Sequence, residues 1–200
     1  DRMHSLDSIA SDFRHAFYQG TWPAGGVTGD RVRELSIDQA YEVQDRVTRL
    51  RVAAGERVAG YKVGCTSVAI RRQFGLDEPI HGKLFDPHLH DEDAVLDWSE
   101  YAHCAIEPEM VLGIGRSLRG EGLSDKELVE AIDWVAPGIE LHHFTFWHPP
   151  PSLPELVCSG GIHAGLIVGH DRVDPRNLRF LDEMFRVFLD GTEVAAAPAT

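Results

Sequence analysis

The sequence contains few cysteines and no long apolar run. Its three cysteines lie far apart and show no Cys-x-x-Cys spacing, so neither a disulfide framework nor a cysteine zinc site is indicated. Each thiol is interpreted as a small buried apolar side chain. No apolar run approaches the roughly 20 residues that a membrane span needs, and the start shows no signal-peptide pattern. We therefore expect a protein of the reducing cytoplasm.

Positive charge is also scarce, which excludes two classes of partner. Lysine and arginine number 19 against 32 acidic residues, and the formal net charge is -13. A general nucleic-acid binder needs a basic face, and anionic membranes attract basic segments. We therefore expect neither nucleic acid nor a membrane as partner. The composition, 43% hydrophobic and 26% charged, is that of an ordinary globular protein.

The first part of the chain predicts a helical lobe. Apolar residues recur at helical spacing near the start, and Ser36 with Gln39 forms a capping box ahead of a second helix. Residues 20–30 are rich in turn formers and predict an exposed connection. The expected division is a helical lobe at 1–55 followed by a strand-dominated domain at 56–200.

Strands dominate the second part, with helices inserted between them. Because no regular βαβ alternation occurs, the pattern predicts an α+β fold with a mixed sheet or irregular barrel. Residues 148–155 predict a rigid extended loop, and the sequence stops directly after a hairpin, so we expect this domain to lack its C-terminal strands. The predicted strands are 57–65, 103–115, 136–144 and 165–169, the hairpin is 184–197, and helices cover 67–75 and 124–135.

Two glutamates stand two positions apart in the predicted strand 103–115. Glu107 and Glu109 share one face of that strand, roughly 7 Å apart, because side chains alternate between the faces of a strand. Three interpretations follow. The strand is an amphipathic edge with both acids in water, or a carboxylate pair for acid–base chemistry, or part of a divalent metal site whose cation removes the repulsion.

A third glutamate strengthens the metal interpretation. Glu140 lies mid-strand between Ile139 and Leu141, where a lone carboxylate is expensive. Three glutamates in apolar strands suit an oxygen-ligand site for Mg²⁺ or Mn²⁺, with the remaining positions left to water or substrate oxygens. Zinc would instead favour histidine and cysteine ligands.

Lys62 is the second unusual residue on a predicted strand. Gly60 and Gly64 flank it and leave room for a molecule to approach its amine closely. A strand lysine commonly extends to solvent, whereas beside a metal in a desolvated pocket it acts as a proton donor or enolate stabiliser. Both interpretations stay open on these residues.

Five segments occur in the order and spacing of one enzyme family. The lysine strand, the Glu-x-Glu strand and the third glutamate are the most specific combination. From Gly60 to Gly169 the chain resembles the 2-keto-4-pentenoate hydratase family with the related 2-oxo-3-hexenedioate decarboxylases, within the fumarylacetoacetate hydrolase superfamily. The segments are "GYKVGCTS", "FGLDEPIHGKLF", "IEPEMVLGIGRSL", "APGIEL" and "HAGLIVG".

The resemblance implies roles for individual residues. Glu107, Glu109 and Glu140 match the family's three metal-binding carboxylates, and Lys62 matches its active-site lysine. It also implies a distorted mixed β-roll with an α-helical N-terminal lobe, Mg²⁺ or Mn²⁺ as cofactor, and assembly as a homo-oligomer.

The segments that would face the substrate depart from the family pattern. Where many members carry an acid just after "DEP", this chain has Ile80 and His81, and "CSGGIHAG" at 158–165 replaces a common "DNAS" segment. We expect His81 and His163 to take part in catalysis. Ser159 and Gly160 are expected to bind substrate.

The remaining histidines are interpreted separately. His142 shares a strand face with Glu140, so it is a fourth ligand, a partner of the ligands, or a core histidine. His88, His90 and His103 lie in or near an acidic loop, and we expect them at the surface.

The resemblance, together with these residues, implies a metal-dependent lyase of aromatic degradation. The expected reaction adds water to a 2-hydroxydienoate or 2-oxo-enoate and gives a 4-hydroxy-2-oxo acid. The cation would chelate the 2-oxo and carboxylate oxygens while Lys62 moves a proton. Decarboxylation or C–C bond hydrolysis of a related 2-oxo acid is one alternative, and a non-catalytic metal- or ligand-binding homologue is another. A small-molecule 2-oxo acid is the expected partner.

Overall fold

The computed structural model describes residues 2–19, 29–143 and 151–199. Most of the predicted connection at 20–30 lies outside them. Within the described residues, no helix has the length and apolar character needed to cross a membrane. The helices are α1 (Arg2–Gln19), α2 (Gly29–Arg33), α3 (Ile37–Ala53), α4 (Val68–Phe74), α5 (Asp125–Glu130) and α6 (Leu153–Cys158).

The strands of the described residues form three sheets. One is the antiparallel pair β1–β2, the second has the order β3-β6-β5-β4, and the third is the antiparallel pair β7–β8. The α+β class is confirmed, and no barrel closes within the described ranges. The strands are β1 (Val58–Gly64), β2 (Ile80–Phe85), β3 (Leu89–Asp91), β4 (Cys104–Ile114), β5 (Ile132–His143), β6 (His163–Val168), β7 (Met184–Leu189) and β8 (Thr192–Pro198).

The chain divides into two compact units. Their boundaries fall within β4, β5 and β6 rather than at residue 55, so the helical lobe stays a prediction. The first unit comprises residues 1–89, 95–106 and 141–166, and the second comprises 90–94, 107–140 and 167–200.

The core of the first unit joins four helices to strand β2. Ser36 caps α3 through the predicted capping box: its hydroxyl accepts from the Gln39 N–H (3.2 Å), and the Gln39 side chain accepts from the Ser36 N–H (3.0 Å). This confirmed start directs the apolar face of α3 into the core. The core residues are Leu6, Ile9, Ala10, Phe13, Ala16, Val32, Ala40, Val43, Ile80, Val157 and Cys158.

The second unit contains the predicted hairpin of β7 and β8. Leu189 pairs with Thr192, and the turn residues between them, Asp190 and Gly191, have φ of 49° and 78°. A type I′ turn requires positive φ at both central residues, which Asp-Gly supplies at low cost. The hairpin prediction is confirmed.

One predicted loop ends in a helix. Residues 148–155 were expected to be extended; residues 148–150 lie outside the described residues, and α6 begins at Leu153 behind a capping box of Ser152 and Glu155. Pro154 is tolerated there because the first helical turn does not need its N–H. The prolines therefore obscured a start signal that the sequence contains.

The helix predicted through Val135 is also shorter. It ends at Glu130, and β5 begins at Ile132. Val135 exchanges two backbone hydrogen bonds of 2.9 Å with Val173. Pairing with a distant segment thus overrides the helical spacing of the apolar residues.

Candidate functional site

Lys62 lies on β1, opposite Gly82 of β2. Its amine lies close to glycine backbone: a Cβ atom added to Gly161 would be 2.8 Å from Lys62 Nζ, and one added to Gly64 would be 3.4 Å away. The amine therefore packs against glycine backbone from two segments, whereas Gly60 faces Leu84.

Gly161 belongs to a tight turn between α6 and β6. Gly160, Gly161 and Ile162 have φ of 66°, 78° and 55°, and positive φ is strained for a β-branched residue such as Ile162. Ser159 holds the turn, because its hydroxyl accepts from the Ile162 N–H (2.9 Å) and donates to the Leu156 carbonyl (3.0 Å). The hydroxyl predicted to bind substrate is thus engaged within the turn, and its binding role stays a prediction.

The turn packs backbone against backbone on the antiparallel pair β1–β2. A Cβ atom added to Gly82 would be 2.7 Å from the Gly160 carbonyl oxygen and 2.9 Å from its Cα. Only glycine fits at this position, and the close approach sets Gly161 beside Lys62, which is directly opposite Gly82.

Gln44 of α3 connects the two sides of this contact. Its side-chain amide donates to the carbonyl oxygens of His81 on β2 (3.0 Å) and Val157 on α6 (2.7 Å). Gln44 is buried, so these bonds are shielded from water and fix β2 and α6 relative to α3.

Gly82→Ala is expected to lower the free energy of unfolding by about 3 kcal/mol, because backbone cannot move aside as a flexible side chain does. Urea unfolding followed by circular dichroism measures this. Gly60→Ala is the matched control, since its added Cβ would meet Leu84 at 3.4 Å, an ordinary contact. Equal losses in the two variants would contradict the assigned contact.

A small cavity lies beside the turn, bordered by α3, β2 and the start of β6. Its volume is about 30 Å³, enough for a water molecule. The buried His163 lines it together with Ser159 and Gly160, so three residues predicted for the site border one cavity. The other lining residues are Gln44, Val47, Thr48, Arg51, Lys83, Phe85 and Cys158.

His81 lies on the opposite face of the β1–β2 pair from Lys62. It pairs with Val63, and its exposed ring stacks on Tyr41 with centroids 4.5 Å apart and planes inclined by 20°. The His81 N–H donates to the Tyr41 hydroxyl (3.3 Å), and burial raises the pKa of Tyr41. The structure does not bring His81 to Lys62, and its catalytic role stays a prediction.

Cys158 is a buried thiol at the cavity. Burial, followed by the negative charge of Glu155, raises its pKa well above the usual value. Because the thiolate is the reactive form and each pKa unit changes its population about tenfold, we expect iodoacetamide to modify Cys158 over tenfold more slowly than Cys65 or Cys104, both half-buried. Peptide mass spectrometry over a time course measures the order. If Cys158 were modified before the other two cysteines, the buried position and raised pKa assigned to its thiol would be wrong.

Glu107 and Glu140 lie on the neighbouring strands β4 and β5. A carboxylate oxygen of each and a ring nitrogen of His142 all lie within 4.8 Å of one another. His142 follows Glu140 by two residues on β5 and so shares its face. Glu140 and His142 are 2% and 6% exposed, whereas Glu107 is exposed. Across the part of the chain that the structure describes, this is the one group of histidine, cysteine and acidic side chains that fits a metal ion.

The donor set suits a divalent cation. A carboxylate as buried as that of Glu140 needs nearby positive charge or hydrogen bonds. Carboxylates are ligands of Mg²⁺ and Mn²⁺, and Mn²⁺ also accepts imidazole. Glu109 is outside the group, where His142 takes the third place. Metal ligation by Glu109 therefore stays a prediction.

Sequence analysis missed a buried histidine next to this group. His143 is 3% exposed, and its Nδ1 accepts from the Ala102 N–H (3.0 Å). Burial, followed by the proximity of three other histidines, lowers the pKa of His143 to about 4, so it is neutral at pH 7. The available signal was a histidine pair at the end of an apolar strand. His103 is exposed as predicted, whereas His88 and His90 are half-buried.

The fold is that of 4-oxalocrotonate decarboxylase. The structure of that enzyme from Pseudomonas putida G7, complexed with magnesium and adipate, matches with a TM-score of 0.87 at 24% identity, over 100% of this chain and 74% of that chain. Its complex with calcium and acetate has a TM-score of 0.85 at 25% identity, over the same shares. These matches show that the chain shares the fold of this enzyme.

Sequence comparison defines the family. The 2-keto-4-pentenoate hydratase of Paraburkholderia xenovorans (strain LB400) is 34% identical over 151 residues, 74% of this chain and 55% of the relative. The 4-oxalocrotonate decarboxylase of a Pseudomonas species is 29% identical over 143 residues, 72% of this chain and 55% of the relative. The chain belongs to the family of these hydratases and decarboxylases, and it spans about half the length of the curated relatives it matches. No family model matches it.

Proposed function

We propose that the chain is a metal-dependent hydro-lyase that adds water to a 2-hydroxydienoate or 2-oxo-enoate and gives a 4-hydroxy-2-oxo acid. The observation that carries this proposal is the buried carboxylate of Glu140. One of its oxygens lies within 4.8 Å of donor atoms of Glu107 and His142, so one cation could contact all three. The hydratases among its relatives support it, including a 2-oxo-hept-4-ene-1,7-dioate hydratase of Escherichia coli at 27% identity over 151 residues, 72% of this chain and 57% of the relative. The substrate class is a small 2-oxo acid of aromatic degradation.

In this proposal Glu107, Glu140 and His142 hold Mg²⁺ or Mn²⁺, and Glu109 is the further ligand predicted from the sequence. The magnesium in the solved 4-oxalocrotonate decarboxylase structure supports this choice of metal. When bound, the cation would polarise the 2-oxo group and make it a better electron sink.

Lys62 moves the proton between the enol and keto forms of the substrate. Its Nζ lies against the backbone of Gly161, and a positioned amine is a suitable proton donor and acceptor. His163 lines the cavity beside Ser159 and Gly160. We assign to His163 the removal of a proton from the attacking water, and to Ser159 and Gly160 the binding of substrate. For His81 to act, its ring would have to leave Tyr41.

The finer organisation is also a proposal. Helices α1 to α3 support the helical lobe proposed over residues 1–55, although their core also includes residues of β2 and α6, and the three sheets support the family's distorted mixed β-roll. We also propose that the protein assembles as a homo-oligomer in the cytoplasm. Its partner is a small molecule rather than nucleic acid or a membrane.

Dienol absorbance tests the reaction. A 2-hydroxydienoate mixed with the protein and Mg²⁺ or Mn²⁺ is expected to lose its absorbance only when the metal is present, and mass spectrometry should identify a 4-hydroxy-2-oxo acid. Protein treated with a chelator and then resupplied with metal is the control. Metal-independent decay at the uncatalysed rate would overturn the proposal.

Decarboxylation is the second candidate, favoured by the fold match to 4-oxalocrotonate decarboxylase. It shares the chelated 2-oxo group but breaks a C–C bond and releases CO₂. Supplying a 2-oxo-enedioate and measuring CO₂ against the hydrated product separates the two reactions. Tight metal binding with no turnover of either substrate would indicate a non-catalytic binding protein.

A further inference from the structure

Trp134 of β5 lies directly on the backbone of β4. A Cβ atom added to Gly113 would be 2.1 Å from Trp134 Cε2 and 2.4 Å from Nε1, so the indole ring occupies the space that any other residue at 113 would need. Arg172 lies over the same ring, with its guanidinium carbon 4.1 Å from the ring centroid. A planar guanidinium makes this cation–π contact well. We call Gly113, Trp134 and Arg172 the Trp134 clamp.

The clamp and the carboxylates share one strand register. Glu107 is six residues before Gly113 on β4, and Glu140 is six residues after Trp134 on β5. From Gly113 to Glu107 the number on β4 falls by six, while from Trp134 to Glu140 the number on β5 rises by six, as in antiparallel strands. The register that seats Trp134 on Gly113 is therefore the register that sets Glu107 opposite Glu140. The even spacing keeps the carboxylates on the face of the clamp.

A change of register would separate the two carboxylates. A shift by one residue turns Glu107 to the other face of the sheet, and a shift by two moves it about 7 Å along β5. The indole ring fits only over a residue without a side chain, so it resists a shift by one residue in either direction and the shift by two that would set it over Val111. The neighbours of Gly113 on β4, Leu112 and Ile114, are bulky.

We propose that Gly113, Trp134 and Arg172 are positioning residues that hold Glu107 opposite Glu140 by fixing the register of β4 and β5. The cation-binding consequence rests on the proposed function, whereas the register itself rests on the strand contacts. Metal affinity then depends on side chains about 20 Å away along the strand, given a rise of about 3.4 Å per residue.

A disulfide tests the register without any metal. In a chain carrying Glu107→Cys and Glu140→Cys, mild oxidation is expected to join the two positions, and peptide mapping distinguishes this bond from pairs with native cysteines. Adding Trp134→Leu is expected to lower the yield several-fold, and Trp134→Phe, which keeps a flat ring on Gly113, should restore most of it. Unchanged yield with Trp134→Leu would overturn the proposal.

Mn²⁺ binding tests the consequence. In otherwise unmodified chains free of metal, Gly113→Ala and Arg172→Ala are expected to weaken Mn²⁺ binding at least about tenfold, as for residues that orient metal ligands. The free ion is followed by electron paramagnetic resonance. Phe185→Ala, in the β7–β8 hairpin of the same unit, is the control for general destabilisation.

The two measurements separate the two proposals. If the disulfide depends on the clamp but the unmodified chain binds no Mn²⁺, the metal site of the proposed function fails and the register inference stands. If Mn²⁺ binds tightly and the clamp variants bind it as well as the unmodified chain does, the positioning role is overturned. Arg172 is exposed, so Arg172→Ala gives a folded variant even if Gly113→Ala does not fold.

Discussion

Glu140→Gln is expected to lower the Mn²⁺ affinity of the chain by at least about 100-fold, because residues that only orient metal ligands already contribute about 10- to 100-fold. Glutamine keeps the shape of the side chain but removes a charge that lies within 4.8 Å of donor atoms of Glu107 and His142. Titration of the metal-free protein measures the affinity. The rise in melting temperature with Mn²⁺ should disappear too, since a ligand stabilises only the state that binds it.

Glu193→Gln is the matched control, an exposed strand glutamate on β8 paired with Arg186 at 3.2 Å. It should bind Mn²⁺ like the unmodified chain. Unaltered Mn²⁺ binding by Glu140→Gln would refute the metal site. Comparing His142→Ala with Glu109→Gln identifies the third ligand: the structure favours a larger loss at His142, and the family resemblance a larger loss at Glu109.

Lys62→Met is expected to reduce turnover of a 2-hydroxydienoate about 10²- to 10⁴-fold, the usual contribution of a positioned acid–base group. Mn²⁺ affinity should stay unchanged, because the amine moves a proton and is not a metal ligand. Methionine fills similar space beside Gly161, so the variant removes the amine and keeps the packing. Initial rates at saturating metal, together with a Mn²⁺ titration, separate the two functions.

Lys126→Met provides the comparison, because Lys126 is an exposed lysine of α5 that pairs with Glu130. Its turnover should match that of the unmodified chain. Full turnover by Lys62→Met with metal bound would remove the lysine from the mechanism and move the proton transfer to His163 or to water.

Local signals in the sequence predict much of this fold. The capping box of Ser36, the Asp190-Gly191 turn and the strand that carries Glu107 each depend on residues a few positions apart, so short-range chemistry determines them. The sequence also grouped Glu107 with Glu140 in one expected metal site, because a lone mid-strand carboxylate such as that of Glu140 is expensive, and their carboxylates lie close together.

Local signals in the sequence say less where distant segments meet. β5 takes over part of a predicted helix because Val135 pairs with Val173, and no local spacing encodes that partner. His142 joins Glu107 and Glu140 because alternation along β5 and the pairing with β4 act together. Strand alternation also determines the position of His81. Lys62 is opposite Gly82, so His81, one residue earlier on β2, lies on the other face, where its ring stacks on Tyr41.

The contact between Gly82 and Gly160 restricts how related sequences diverge. At this point only hydrogen atoms separate β2 from the turn between α6 and β6. A side chain can therefore appear on one segment only if the other moves or changes length. Substitution in β2 and remodelling of 158–165 are therefore coupled events. We expect relatives with a larger residue at the position of Gly82 to carry a turn of different length between α6 and β6, so the two segments change in concert.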